Sequence, residues 1–427
     1  MPLKLITLGP KYTRIALIAA AFLCLVLSWF FIRWNLGNVI ASQVDPKSPD
    51  SPMIAEWLTE FSPSDPGTHF LSASVFEKTF NADDLSRAVH EYEVATALSP
   101  YNYAMWRSLG RARSLVGDAE GSFKAYRRAL ELAPNYSGVQ WIYGNALLRE
   151  GETNEGLSII GNAAAADPQY AKPAIATALQ ALDGNVDEVR RTMGDTAVIN
   201  AGLAGVLSSM ERLDESFDAW GHLSLESRRT EFKSLGETIR NKMIELKRFR
   251  MAASIHADIR TDEAPSVSKV INGGFEEDVK LGNAGIFNWR ISDGTHPQVG
   301  LSDNIKRSGQ YSVLLMFNSF EVSGLRSIDQ TIAVEPAAEY ELEIFFRSDV
   351  RSDATLRWEV ADAANLQKIA ESEPIAQAAD WTPLRIRFRS PAASDGIQVR
   401  LVRQGCGGLA CPMSGRLLFD DITLRRL

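Results

Sequence analysis

The chain is poor in the residues that most often carry chemistry. Its 427 residues include three cysteines and five histidines, too few for a disulfide-knit fold or a thiol-rich metal centre. His69, His90, His222, His256 and His296 fall at no spacing that a metal site or a nucleophile relay uses. The sequence has no glycine-rich phosphate loop, no H-E-x-x-H pair and no G-x-S-x-G elbow. Positive charge is in deficit too: 45 Lys and Arg stand against 53 Asp and Glu, a net charge of -8, with no basic tail. Phosphate backbones are held by clustered cations, so a nucleic-acid partner is not expected. The paired acids Glu276-Glu277 and Asp420-Asp421 do not make a glycosidase, because adjacent residues of a strand point to opposite faces. Retaining enzymes need two carboxyls about 5–5.5 Å apart across one cleft. The chain is therefore expected not to be an enzyme.

Long apolar runs are scarce as well, and the one present is informative. Residues 15–32, IALIAAAFLCLVLSWFFI, carry no charge and are closed by Arg14 and Arg33. At about 1.5 Å per residue this run and its flanks cover roughly 30 Å of hydrocarbon. Trp29 and Trp34 suit one interface. A cleaved signal peptide is the competing reading, with a small-residue site before Ser42, but its apolar core would be shorter, so an anchor is expected. Lys4, Lys11 and Arg14 precede the span, while Asp45 and Asp50 soon follow it. The positive side stays inside, which puts everything after residue 34 outside the cytoplasm.

What remains is ordinary globular material, 45% apolar and 23% charged, too long for a single core. Pro100, Pro134 and Pro168 stand 34 residues apart, as do Ala95, Ala129 and Ala163, and Ala88, Ser122 and Gly156. In one unit Trp106, Leu109, Gly110, Ser122, Tyr126, Ala129 and Pro134 fall in order, with turns at Gly117-Asp118 and, one unit on, Gly151-Glu152. This pattern resembles the tetratricopeptide repeat (TPR), a helix-turn-helix unit whose small residues let two helices approach. Residues 69–102 read as a degenerate first copy with only its second helix clear. Further helix pairs are expected at 172–193 and 197–223, with one long helix over 228–250 capping the stack. The resemblance implies a protein partner on a concave face. The residues just named are expected to be packing, which leaves the partner-contacting positions unselected.

From about residue 270 the period changes to 2, in runs such as YSVLLMF, YELEIFF, TLRWEV, PLRIRF and IQVRLV. Alternating runs at regular intervals predict an antiparallel sandwich with Tyr340, Leu342, Ile344, Phe346, Leu384, Ile386 and Phe388 inward. The segment opens INGGFEE, closes LLFDDITL, and carries SGQYSV and DWTPLRIRF between. That ordered set is similar to the galactose-binding-like jelly rolls of the family 4/9 carbohydrate-binding modules, apart from an insertion at 405–415 that brings two cysteines. The resemblance implies a structural calcium framed by Glu276 with Asp420 or Asp421 and by backbone carbonyls near Asn272 and Ser308; the alternative is that these acids satisfy loop amides. It also implies glycan binding, for which the sequence offers Trp289, Trp358 and Trp381 as stacking planes, and Arg385, Arg387 and Arg389 as an outward row for an anionic polysaccharide. Trp289 and Trp381 otherwise pack inside such folds, and the arginines otherwise pair with Glu341, Glu343 and Glu359 on other strands. Cys406 and Cys411 bracket four residues and are expected to form a disulfide outside the cytoplasm.

The expected architecture is multidomain: an N-terminal transmembrane helix, an all-α TPR-like solenoid, then an all-β jelly-roll sandwich. Its parts are a cytoplasmic tail (1–14), the span (15–34), a linker (35–68), the repeats (69–250), a second linker (251–268) and the sandwich (269–427). The expected role is a bacterial inner-membrane scaffold with its bulk in the periplasm, serving cell-envelope or exopolysaccharide assembly through a protein partner and a polysaccharide. A purely protein-binding assembly factor and an auxiliary subunit of a glycan-processing enzyme are the alternatives.

Overall fold

The computed structural model describes residues 9–260, 266–277, 279, 285–321, 324–405 and 410–427. Two compact units divide the chain, residues 1–199 and 200–427, and each is described by itself.

The first unit is helical throughout. Helix α1 (Pro10–Gln43) contains the apolar run, and the most apolar window of it has a mean hydropathy of 2.7 with none of it buried. It is long and apolar enough to cross a membrane. It does not stop at residue 34. Its last turns continue into the residues expected to be a linker, which also form α2 (Ser51–Phe61) and the start of α3 (Pro66–Glu77). Ile40, Ala41 and Val44 of this extension pack on Ala55, Leu58, Leu71 and Val75. An amphipathic stretch followed by capping residues looks like a linker only while its partner surface is unknown; here that surface is α1 itself. Gly37 is what permits the approach, since a Cβ built there would lie 2.5 Å from Ser62 Cβ.

Hairpins follow at the repeat period: α3 with α4 (Ala82–Leu98), α5 (Tyr103–Leu115) with α6 (Ala119–Leu132), and α7 (Ser137–Arg149) with α8 (Thr153–Ala166). The first copy therefore has both helices. Side chains at the turns cap the starts of α3, α5 and α6: Asp65 accepts from Thr68 N at 3.0 Å, Asn102 from Ala104 N at 3.0 Å, and Asp118 from Gly121 N at 2.9 Å. Small residues do the work the repeat pattern implied. A Cβ on Gly110 would meet the Tyr126 ring at 2.6 Å, and Ser122 Oγ donates to Gly110 O at 2.7 Å. Two more helices, α9 (Ala171–Ala181) and α10 (Val186–Met193), agree with expectation.

The turn between α2 and α3 is fixed from within. His69 is buried, its Nδ1 lies 2.6 Å from Glu91 Oε2 and its Nε2 lies 3.0 Å from Pro63 O. Burial works against a charged ring, but the Glu91 carboxylate, the Pro63 carbonyl and the field of Asp65 outweigh it, so the imidazole pKa is raised.

In the second unit, α11 (Ala197–Ser209) and α12 (Leu213–Gly221) form the expected pair. The single long helix expected over 228–250 is three pieces, α13 (Leu225–Arg229), α14 (Lys233–Glu245) and α15 (Phe249–Ile259). Lys247, at φ 61°, turns the chain between the last two. Helix α15 occupies nine of the residues expected as the second linker (251–259), and it is docked on the sandwich rather than free. Asp395, from a loop of the β region, accepts from Phe249 N at 2.8 Å and from Arg250 N at 3.2 Å, so it caps α15 across more than a hundred residues.

Eleven strands are described: β1 (Arg290–Ile291), β2 (Gln298–Ser302), β3 (Ser312–Ser319), β4 (Ile328–Ala333), β5 (Glu339–Ser348), β6 (Arg351–Ser352), β7 (Thr355–Asp362), β8 (Lys368–Glu371), β9 (Ala378–Arg389), β10 (Gly396–Gln404) and β11 (Met413–Arg426). They make two antiparallel sheets, β1-β4-β10-β7-β8 and β2-β3-β11-β5-β9, with β6 paired to β11. Strands cross between sheets along the chain, as in a jelly roll. The alternation places Tyr340, Leu342, Ile344 and Phe346 of β5 and Leu384, Ile386 and Phe388 of β9 in the shared core, as their period predicts.

The His69 bonds carry a pH dependence with a definite sign. A pKa raised on folding adds stability below the ordinary imidazole value, and this is lost as pH rises through the raised value. A His69→Gln variant should therefore fall furthest below the parent in melting temperature near pH 5.5, and the gap should narrow by pH 8.5. Measuring both proteins across that range checks it, and a gap that widens with pH would contradict it.

Candidate docking and binding surfaces

The repeat register aligns side chains on the first helices of the hairpins. Ala73, Arg107 and Trp141 are spaced 34 apart, and so are Glu77, Arg111 and Asn145. The structure converts the second series into an ion pair between a buried Glu77 and an exposed Arg111, beside an open cationic recess. Glu77 is 5% exposed; its carboxylate takes Arg111 Nε at 2.6 Å and Nη2 at 2.7 Å, and the Tyr92 hydroxyl donates to it at 2.9 Å. That bidentate fork uses up the one acid of the series. Arg107, Arg149, Trp141 and Asn145 then line a recess of about 380 Å³ floored by Tyr126. Arg107 and Arg149 make no hydrogen bond or ion pair with any other described residue. Trp141 is held by stacking on Tyr170, centroids 5.3 Å apart at 26°. Burial raises the Tyr126 hydroxyl pKa while Arg149 and Arg111 pull it down, a sign of the positive field in this recess. Two unpaired guanidinium groups beside an indole edge suit a carboxylate-bearing chain with apolar neighbours. These positions were not selected by sequence reasoning, although the i, i+34 alignment of Arg107 with Trp141 and of Arg111 with Asn145 was there to be read.

The three acids framed for calcium do meet, at the loop before β3. Glu276 accepts from Gln310 N at 2.9 Å and from Tyr311 N at 3.4 Å. Asp420, fully buried, accepts from Arg307 N at 2.7 Å, Ser308 N at 3.2 Å and Asp421 N at 2.8 Å. Asp421 takes the Ser308 hydroxyl at 2.7 Å and the Arg307 guanidinium. The Asn272 carbonyl, a further expected ligand, receives the Trp289 indole N–H at 3.0 Å. Donors therefore fill the oxygens a cation would need, and Arg307 supplies the positive charge. Among the described residues no three acid, histidine or cysteine side chains are grouped to hold an ion. Amide, hydroxyl and guanidinium donors thus sit on these carboxylates, the arrangement that the alternative of acids satisfying loop amides describes. Burial and the neighbouring Asp421 push the Asp420 carboxyl up, against the pull of its amide donors.

The glycan candidates separate sharply. Trp289 and Trp358 are 3% and 0% exposed, inside an aromatic chain running Phe275, Trp289, Trp358, Phe419. A ring with both faces packed in the core offers no plane to a sugar, so these two are structural. Trp381 is half-buried on β9. The arginine row is outward but spoken for: Arg385 reaches Glu343 at 2.7 Å, Arg387 reaches Glu341 at 2.7 Å, and Arg389 lies 3.9 Å from Glu339. Arg425 of β11 also binds Glu341 at 2.7 Å, and these partners hold the Glu341 carboxyl below its ordinary range. On the other sheet Arg400 pairs with Glu359 in the same way. What stays open is one end of the sandwich, where Phe320, 72% exposed, stands with Asn318, Asp353 and Gln377 around a recess of about 530 Å³. Cys411 is buried nearby, its amide donating to Phe320 O at 2.8 Å; Cys406 lies outside the described residues, so its pairing with Cys411 remains an expectation.

No family model matches the chain. Over 120 residues it is 30% identical to the BBSome complex member bbs-4 of Caenorhabditis elegans, a stretch covering 28% of this chain and 24% of that protein. The chain thus spans about a quarter of that relative's length. Among solved structures, a family 4 carbohydrate-binding module matches at 16% identity with a TM-score of 0.28, covering 37% of this chain and 99% of the module. The crystal structure of MamA protein matches at 14% identity with a TM-score of 0.31, covering 38% of this chain and 87% of its own. The architecture itself, helical hairpins and then two antiparallel sheets, stands on the helix pairs and strand order above.

If the acids serve only loop amides, removal of divalent ions is silent. The melting temperature of the purified chain should be the same in excess EDTA and in millimolar calcium; a fall of several degrees on chelation would restore the calcium reading.

Proposed function

We propose that this chain is a non-enzymatic, membrane-anchored scaffold whose TPR-like stack docks a protein partner through an acidic segment. The observation that carries this is the recess of Arg107, Arg149 and Trp141, where two guanidinium groups lack a carboxylate partner among the described residues. In this reading α1 crosses the bilayer with the Lys4, Lys11 and Arg14 side in the cytoplasm, and the rest of the chain works in the periplasm. Cell-envelope or exopolysaccharide assembly is the process it would serve.

The test is fluorescence anisotropy of the full chain in nanodiscs with a labelled octapeptide of alternating Glu and Phe. Binding should weaken with salt and fall at least tenfold, about 1.4 kcal/mol, in the double variant Arg107→Glu, Arg149→Glu. Equal binding of a Lys-Phe octapeptide, or no loss in the variant, would sink the proposal.

A second reading, glycan recognition by the jelly roll, is favoured by one observation: Phe320 exposes an aromatic plane among amide and carboxylate side chains. On a glycan array the full chain should retain one class of polysaccharide and the Phe320→Ala variant should lose it. Absence of any retained glycan, or an unchanged profile in the variant, would leave the jelly roll as a brace for protein contacts.

A further inference from the structure

The heights of residues along α1 locate a second element at the bilayer. Starting from the apolar run, the helix meets the rest of its unit in order. Arg33 Nε donates to Phe61 O at 2.6 Å and Nη2 to Glu60 O at 3.3 Å. One turn on, Gly37 abuts Ser62, and Asn38 Nδ2 donates to Asp65 at 3.1 Å. Only beyond that do Ile40, Ala41 and Val44 reach the bodies of α2 and α3. Helix α2 therefore runs back along α1, and the α2–α3 turn points toward the apolar run, about one turn of α1 beyond the arginine that ends it and within reach of that side chain. From Arg14 to Arg33 the helix rises about 28 Å, close to a hydrocarbon core of roughly 30 Å, so Arg33 sits where the headgroup layer begins.

That layer is roughly 5–7 Å deep on each side, about one turn of helix. Phe61, beside Ser62 at the level of Gly37, falls at its outer rim, and Trp57, one turn further along α2, stands just above with its ring stacked on Phe61. Both are aromatic. Their rings stack at 4.9 Å and 15°, the Arg33 guanidinium lies 5.4 Å from the Phe61 centroid, and Trp57 is 48% exposed. On α1 itself Trp34, one residue past Arg33, is exposed. Amphipathic rings of this kind favour the headgroup layer, whereas in bulk water an exposed Trp57 and Met53 on one helix face have nothing to cover them. The turn is also rigid, since His69 Nε2 holds Pro63 O at 3.0 Å.

We infer that the α2–α3 turn, with Phe61 and the ring of Trp57 stacked on it, seats in the lipid headgroup layer of the bilayer that α1 crosses, giving the repeat stack a second contact with the membrane. This rests on the reading of α1 as a membrane span. A single helix leaves a domain free to swivel; two contacts with one surface fix its tilt and the height of the recess at Arg107 and Arg149.

The experiment places nitroxide labels on the full chain in zwitterionic nanodiscs and measures collision with oxygen and with a water-soluble nickel chelate. Labels go on native Cys24, on Ser64→Cys in the turn, and on Lys78→Cys at the opposite end of α3, the last two with Cys24→Ser, whose parent signal is subtracted. Cys24 should read hydrocarbon, Lys78 water, and Ser64 should collide with nickel several-fold less than Lys78 while remaining open to oxygen. A Ser64 label as open to nickel as Lys78, with Cys24 in hydrocarbon, overturns the inference and leaves the span standing. A Ser64 label closed to both probes means protein covers the turn, which also overturns it. An aqueous Cys24 label removes the span and the inference together.

Discussion

The first unit is organised by one close approach. Gly37 lets α1 come against Ser62 so nearly that no side chain fits between, and Arg33 and Asn38 bond the same turn on either side. Without that contact α1 would be an apolar helix followed by a tether. With it, the helix that is long and apolar enough to cross a membrane is also the first layer of the helical stack, because its last turns supply the apolar surface on which α2 and α3 close. A stack of helical hairpins needs something to bury its outermost face, and here the end of α1 does so.

The same economy of partners explains which charges remain available. The outward arginines of β9, with Arg400 of β10 and Arg425 of β11, each have a carboxylate on a neighbouring strand, the Glu341 side chain serving two of them. Charges opposed at neighbouring positions neutralise a sheet face and pin its register, and they leave little field for a charged ligand. In the repeat recess the count is unequal. Glu77 is consumed by Arg111, and Arg107 and Arg149 are left over. Excess charge of one sign in a concave site is a feature that packing does not require, which is why the docking proposal rests there and not on the jelly roll.

Two expectations drawn from resemblance fared differently once neighbours were known. Tryptophans that a sugar-binding reading would place on a surface are in the core, because an indole on the inward face of a strand buries more apolar area than any other residue. Glu276 and the acids of the last strand did converge, on amide hydrogens and the Arg307 guanidinium of the loop before β3.

Sequence alone determined the features that depend on periodicity and on composition: an apolar helix of spanning length, hairpins at 34-residue intervals, and alternating strands with Leu342, Ile344 and Ile386 inward. These follow from local geometry, since a period of 3.6 or 2 fixes a face whatever lies opposite. Tertiary structure decided what lay opposite. It turned two expected linkers into the docked end of α1 with α2, and into α15 capped by Asp395, and it separated paired arginines from unpaired ones. Such outcomes depend on residues that are far apart in the chain and a few ångströms apart in space, and no pattern along the chain records that distance.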